Sequence, residues 1–175
     1  FLIDAAKAAG VERGVEAPVV TLLRSIIVPF LQFSAQRDLR KKAYQAWAAR
    51  GAHAGEHDNR SLALEMLVLR QEMAELLGYP DFASFKLETE MAKTPENVLK
   101  LLKDVWQPAK ARAERDAGVL QEMMRAEGVN GDLEKWDWRY YAEKRRAAEF
   151  DLDEAQLKPY LQLDQMIAAA FDCAN

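Results

Sequence analysis

Apolar positions along the chain recur mostly three and four residues apart, the period of a helix with one dry face. The clearest run is Val98, Leu101, Leu102, Val105, Trp106, Ala109, Ala113, Ala117, Leu120 and Met124, following Thr94-Pro95-Glu96. Threonine supplies an N-cap, proline fits the first helical position, and glutamate meets the positive end of the helix dipole. The pattern predicts one helix over 95–127, closed by Gly128. At ~1.5 Å per residue it would approach about 50 Å. Pro108 removes one ladder bond and predicts a kink near residue 104.

The remaining elements follow from the same pattern. Leu2 to Ala9 is alanine-rich and predicts a helix stopped by Gly10, with a loop to Pro18. Val19–Leu23 is the one run with strand composition. Ser25 is placed to cap a short helix through Phe33, with Pro29 in or near its first turn. A helix from Ser34 or Ala35 to Gly51 places Leu39, Ala43, Ala46 and Trp47 on one face. Asp58-Asn59 opens the next, whose stripe of Leu62, Met66, Leu69, Met73 and Leu76 or Leu77 reads as core, closed by Gly78. Asp81 caps a short helix carrying Phe82, Phe85 and Leu87.

Leu133–Arg146 holds two of the four tryptophans and two of the five tyrosines, and reads as a helical aromatic anchor capped by Asp137. Asp151-Leu152-Asp153-Glu154 reads as a capping box for a short helix ending before Pro159. Leu163, Met166, Ile167, Ala170, Phe171 and Ala174 begin a last amphipathic helix. The fold class is all-α, a mostly helical array with at most one short β segment.

Composition adds limits. The 175 residues suffice for one domain with a core, and half of them are apolar. A net charge of −4, with acids and bases well mixed, gives no basic field for nucleic acid and no attraction to an anionic membrane. No apolar run is long enough to span a bilayer. The single cysteine, Cys173, rules out an internal disulfide and fits a reducing, cytoplasmic compartment. The chain opens on Phe1 and stops inside an amphipathic pattern, so both ends read as cut from a longer protein. A basic cluster of Arg37, Arg40, Lys41 and Lys42 reads as a solvated helix face in preference to a nucleic-acid patch, and Lys144, Arg145 and Arg146 as cations at a helix C-terminal end, with an acidic partner as the alternative.

One pattern carries metal chemistry. His53-Ala54-Gly55-Glu56-His57 matches His-x-x-Glu-His, which needs both imidazoles on one helix face and a glutamate to activate water. Gly51 and Gly55 interrupt it, and Asp58-Asn59 starts the next helix, so an exposed turn with two histidines is the favoured reading. A zinc site at His53, Glu56 and His57 is the sharper alternative, which equilibrium dialysis without stoichiometric zinc would remove.

Three phrases together carry a resemblance. The first is Asp58-Asn59-Arg60, then Leu69-Arg70 and Leu76-Leu77-Gly78-Tyr79. The second is Met91-Ala92-Lys93-Thr94-Pro95 before Val98. The third runs from Trp136-Asp137-Trp138-Arg139-Tyr140-Tyr141-Ala142-Glu143-Lys144 through Phe150-Asp151-Leu152-Asp153 to Leu157-Lys158-Pro159-Tyr160. In this order they resemble the thimet oligopeptidase and peptidyl-dipeptidase family of zinc metallopeptidases. The resemblance extends from Val19 to Phe171. It implies a larger, two-lobed helical peptidase of the zincin type, with a narrow channel that admits short peptides. It also implies a zinc held by a His-Glu-x-x-His helix and a downstream glutamate. That motif is absent here, so no catalytic, cofactor-binding or metal residue is carried over onto this chain. The expectation is a channel-wall scaffold, inactive alone, whose partners are short peptides and the remainder of the peptidase, with dimerisation through exposed apolar faces as a side effect. The alternative is a non-catalytic helical interaction module.

Overall fold

The computed structural model describes residues 2–150 and 158–174. The described residues form helices and connections with no strand. In order they are α1 (Leu2–Glu12), α2 (Arg24–Phe33), α3 (Arg37–Ala48), α4 (Arg60–Leu76), α5 (Phe82–Leu87), α6 (Pro95–Ala126) and α7 (Trp138–Phe150). A 3-10 turn at Lys158–Tyr160 and α8 (Leu163–Ala174) follow. The capping box expected at Asp151–Glu154 lies outside the described residues.

Helix ends follow local chemistry. Thr94 caps α6 by accepting from the Asn97 N–H at 3.4 Å, and Asp81 caps α5 by accepting from Ser84 at 2.7 Å. Gly78 after α4 and Gly128 after α6 adopt positive φ. Each lets two N–H groups turn back onto the last carbonyls: Gly78 to Glu75 with Tyr79 to Ala74, and Gly128 to Arg125 with Val129 to Met124.

Several expectations are corrected. α1 runs through Gly10 to Glu12, and Gly14, at φ 65°, makes the turn instead. Gly10 is buried because the returning loop lies on it. A Cβ there would stand 2.5 Å from the Ala17 carbonyl oxygen. Val19–Leu23 is not a strand but the approach to α2. Ser25 does not cap α2. Leu23 is the N-cap residue, and its carbonyl accepts from Ile26 and Ile27, so Pro29 falls beyond the first turn. α3 begins at Arg37 after Gln36, later than Ser34 or Ala35.

The core gathers where α2, α3, α7 and the C-terminal half of α6 meet. Ile26, Ile27 and Leu31 come from α2, and Leu120, Met124 and Tyr141 form a cluster between α6 and α7. The other half of the molecule is open. α4 packs on α5 and α5 on α6, but the α4 stripe expected as core is exposed, from Leu62 and Met66 through Leu69 and Met73 to Leu76 and Leu77. On α6, Leu101, Leu102, Val105 and Trp106 are exposed too. Within the described residues no helix reaches these faces to cover them.

Candidate functional site

The most elaborate polar arrangement is a buried charge node between α3 and the start of α7. Asp137 is fully buried, and its carboxylate accepts from two arginines one helical turn apart. Arg37 donates through Nε at 3.1 and 3.0 Å and through Nη2 at 2.7 Å. Arg40, only 2 % exposed, donates through Nη2 at 2.8 Å. The Glu134 N–H adds a fourth donor at 3.2 Å. Burial by itself opposes ionisation of Asp137, but the hydrogen bonds from Arg37, Arg40 and Glu134 win and hold its carboxyl below the usual range.

Arg40 is fully engaged. Nε donates to the Trp136 carbonyl at 3.2 Å, Nη1 to the Ser34 carbonyl at 2.7 Å, and its guanidinium lies 4.1 Å from the Tyr140 ring centre. A buried guanidinium is tolerable only when its donors find acceptors and its plane finds a face. Around it the aromatics close in. Tyr44 meets Trp47 and Trp136, Tyr140 meets Tyr141 edge-on, and Lys41 sits over Trp136.

The solvated-face reading of Arg37 and Arg40 is therefore wrong. The apolar positions of α3 point to Leu39 as the inward residue, yet Leu39 is 42 % exposed and Arg40 is inside. The one local hint was Asp137 itself: an acid between two tryptophans of an anchor needs a cation, but spacing does not say which arginines supply it, since Arg112 and Arg115 are three apart as Arg37 and Arg40 are. Asp137 precedes α7 as expected, but its side chain turns to the arginines and to Glu134.

The Lys144, Arg145 and Arg146 group is corrected likewise. α7 continues to Phe150, and these cations are paired with acids. Lys144 meets Glu127 at 2.6 Å, Arg145 meets Asp116 at 2.9 Å and Glu149 at 2.6 Å, and Arg146 meets Glu143 at 2.6 Å. Glu143 also accepts from Gln32 at 2.7 Å, which ties α7 to α2. Together with the Leu120–Met124–Tyr141 cluster, the Lys144–Glu127 and Arg145–Asp116 pairs fasten α6 to α7.

Metal chemistry finds no foothold among the described residues. His53, Glu56 and His57 lie in an exposed, non-helical turn before α4, so the helix face that His-x-x-Glu-His requires is missing. No group of three His, Cys, Asp or Glu side chains among the described residues converges to hold a metal. A cavity of about 690 Å³ between α1 and α2 is lined mainly by Leu2, Ile3, Ala6, Val20, Phe30 and Phe33. Its walls are mainly apolar, with Asp4 and Ser34 the polar residues among them. The charge node and the α6–α7 pairs hold helices in place.

The model of peptidase family M3 matches residues 30–173. The chain belongs to peptidase family M3. Among curated M3 relatives, it is 33 % identical over 149 residues to the dipeptidyl carboxypeptidase of Escherichia coli, covering 85 % of this chain and 22 % of that enzyme. It is 31 % identical over 174 residues to oligopeptidase A of the same organism, covering 97 % of this chain and 26 % of that one. Saccharolysin of Saccharomyces cerevisiae is 26 % identical over 159 residues, 87 % of this chain and 22 % of its own length. The chain thus spans about a quarter of the length of the curated M3 relatives it matches. The family read from the three phrases is the family found.

Proposed function

We propose that these residues are the helical scaffold, and part of the channel wall, of a zinc-dependent oligopeptidase or peptidyl-dipeptidase that acts on short peptides in the cytoplasm. The observation that carries this is α4. Leu62, Leu64, Met66, Leu67, Val68 and Leu69 are each at least 50 % exposed, and at ~100° per residue they surround the helix instead of lining one side. Charged Glu65, Arg70 and Glu72 sit among them, but this much uncovered apolar surface is what a helix covered by the rest of a larger protein presents. A self-contained interaction module would instead have used that surface internally. Family membership and the short share of the relatives' length support the same reading.

The chemistry belongs to groups outside this chain. Zinc would polarise the scissile carbonyl and supply an activated water at neutral pH. The described residues offer no ligand set for it, so their part is to position walls and hold the fold. The test is expression of the full reading frame beside these 175 residues. A His-Glu-x-x-His helix in the remainder, with chelator-sensitive cleavage of a fluorogenic tetrapeptide by the longer protein only, is the expected outcome. A full reading frame without that motif, or cleavage indifferent to chelator, overturns it.

A further inference from the structure

We propose that Asn130 is a site of spontaneous deamidation, where the turn from α6 into α7 converts without an enzyme to aspartate and isoaspartate. Asparagine is chemically labile, and the backbone N–H that follows it decides how readily it reacts. The described asparagines are Asn59, Asn97 and Asn130. After Asn59 comes Arg60, whose N–H donates to the Asp58 carboxylate at 3.1 Å. After Asn97 comes Val98, whose N–H donates to the Thr94 carbonyl at 3.3 Å. After Asn130 comes Gly131, at φ of 120° and with no Cβ to crowd an approach. Among the described residues nothing accepts from the Gly131 N–H, and nothing pairs with the Asn130 side chain.

The reaction needs only water. The Gly131 nitrogen attacks Cγ of Asn130, so an N–Cγ bond forms and the Cγ–Nδ2 bond breaks. The Gly131 amide proton leaves with Nδ2 as ammonia, and a succinimide ring remains. Water then opens the ring at either carbonyl, giving aspartate, or isoaspartate with the backbone running through the side chain. Nothing is oxidised or reduced. The turn is pinned on both sides of the reacting pair. On one side the Val129 N–H donates to the Met124 carbonyl at 3.2 Å. On the other, Gln121 donates to the Gly131 carbonyl at 2.9 Å and accepts from the Leu133 N–H at 2.6 Å. Arg37 of the charge node also donates to the Asp132 carbonyl at 3.2 Å. Isoaspartate adds a methylene to the backbone between these anchors, so the Gln121 grip must slip. Aspartate leaves the backbone length unchanged and keeps the grip. The site is a property of this turn and does not depend on the catalytic reading.

Peptide mapping by mass spectrometry tests it on the full chain, folded and incubated at neutral and at mildly alkaline pH. The Asn130 peptide should gain one mass unit and split into two isomers. The gain should be faster at the higher pH, because the attacking nitrogen must lose its proton. The Asn59 and Asn97 peptides should stay unchanged over the same interval. Asn130→Gln, which needs a larger ring, should abolish the gain in that peptide. Hydrogen exchange gives a second readout: the Leu133 N–H should lose protection in the isoaspartate fraction and keep it in Asn130→Asp. Conversion at Asn130 no faster than at Asn59 and Asn97, or only after unfolding in denaturant, would overturn the site. Equal protection of Leu133 in the isoaspartate fraction and the unmodified protein would overturn the consequence for Gln121.

Discussion

Asp137 shows how one side chain organises its neighbourhood. Its carboxylate is buried and so is Arg40, so neither charge is tolerable without the other. Asp137→Asn keeps the volume but leaves Arg40 a buried, uncompensated cation, and should cost about 3–5 kcal/mol in a denaturant titration. The pH dependence has a definite sign. The folded protein holds this carboxyl below its ordinary value of about 3.9, so the stabilisation is complete above that pH and is lost as pH falls through the lower, folded value. The wild type should lose thermal stability below about pH 4, and Asp137→Asn should show a shallower loss over that window. Glu143, also held low by Arg146 and Gln32, leaves some slope in the variant. A second residue carries strain. Lys93 has φ of 66° and is spanned by a tight turn in which the Thr94 N–H donates to the Ala92 carbonyl at 2.7 Å. Left-handed backbone costs a lysine about 1–2 kcal/mol, against roughly 0.5–1 kcal/mol of extra entropy lost by glycine. Lys93→Gly should therefore raise stability by about 0.5–1 kcal/mol, read as a higher unfolding midpoint.

Elements were more legible than their ends and their surroundings. The Thr94-Pro95-Glu96 start and the three-and-four spacing after it describe α6 well, because capping and periodicity are local. Gly10 misled because propensity sees only the glycine, while the structure sees Ala17 lying on it. The balance can be tested. Gly10→Ala would gain about 1 kcal/mol in helix propensity, but a Cβ 2.5 Å from a backbone oxygen forces the loop away, typically at about 1–3 kcal/mol. We expect no net gain and most often a loss, with faster amide exchange at Val15 and Val19, whose N–H groups bond back to Gly10 and Ala6. The strand composition of Val19–Leu23 failed for a related reason, since a β segment needs a paired edge and none of the described residues supplies one. The charge node was illegible because its members are about a hundred positions apart, and a helical wheel of α3 treats arginine as an outward residue.

At the scale of the molecule, a packed half and an uncovered half share one helix. The stripe on α4 has the chemistry of a core, but its cover is not among the described residues, which no periodicity could reveal. The exposed surface predicts behaviour. The 175-residue chain alone should associate with rising concentration in sedimentation velocity, and Met66→Lys with Val68→Lys should suppress this. If these residues are scaffold, as proposed, the reactive centre lies elsewhere in the polypeptide. The most direct measurement is hydrolysis of a quenched fluorogenic tetrapeptide by the purified 175-residue chain supplied with zinc. No turnover above the buffer rate is expected. Turnover by this chain that chelator abolishes and zinc restores would contradict it.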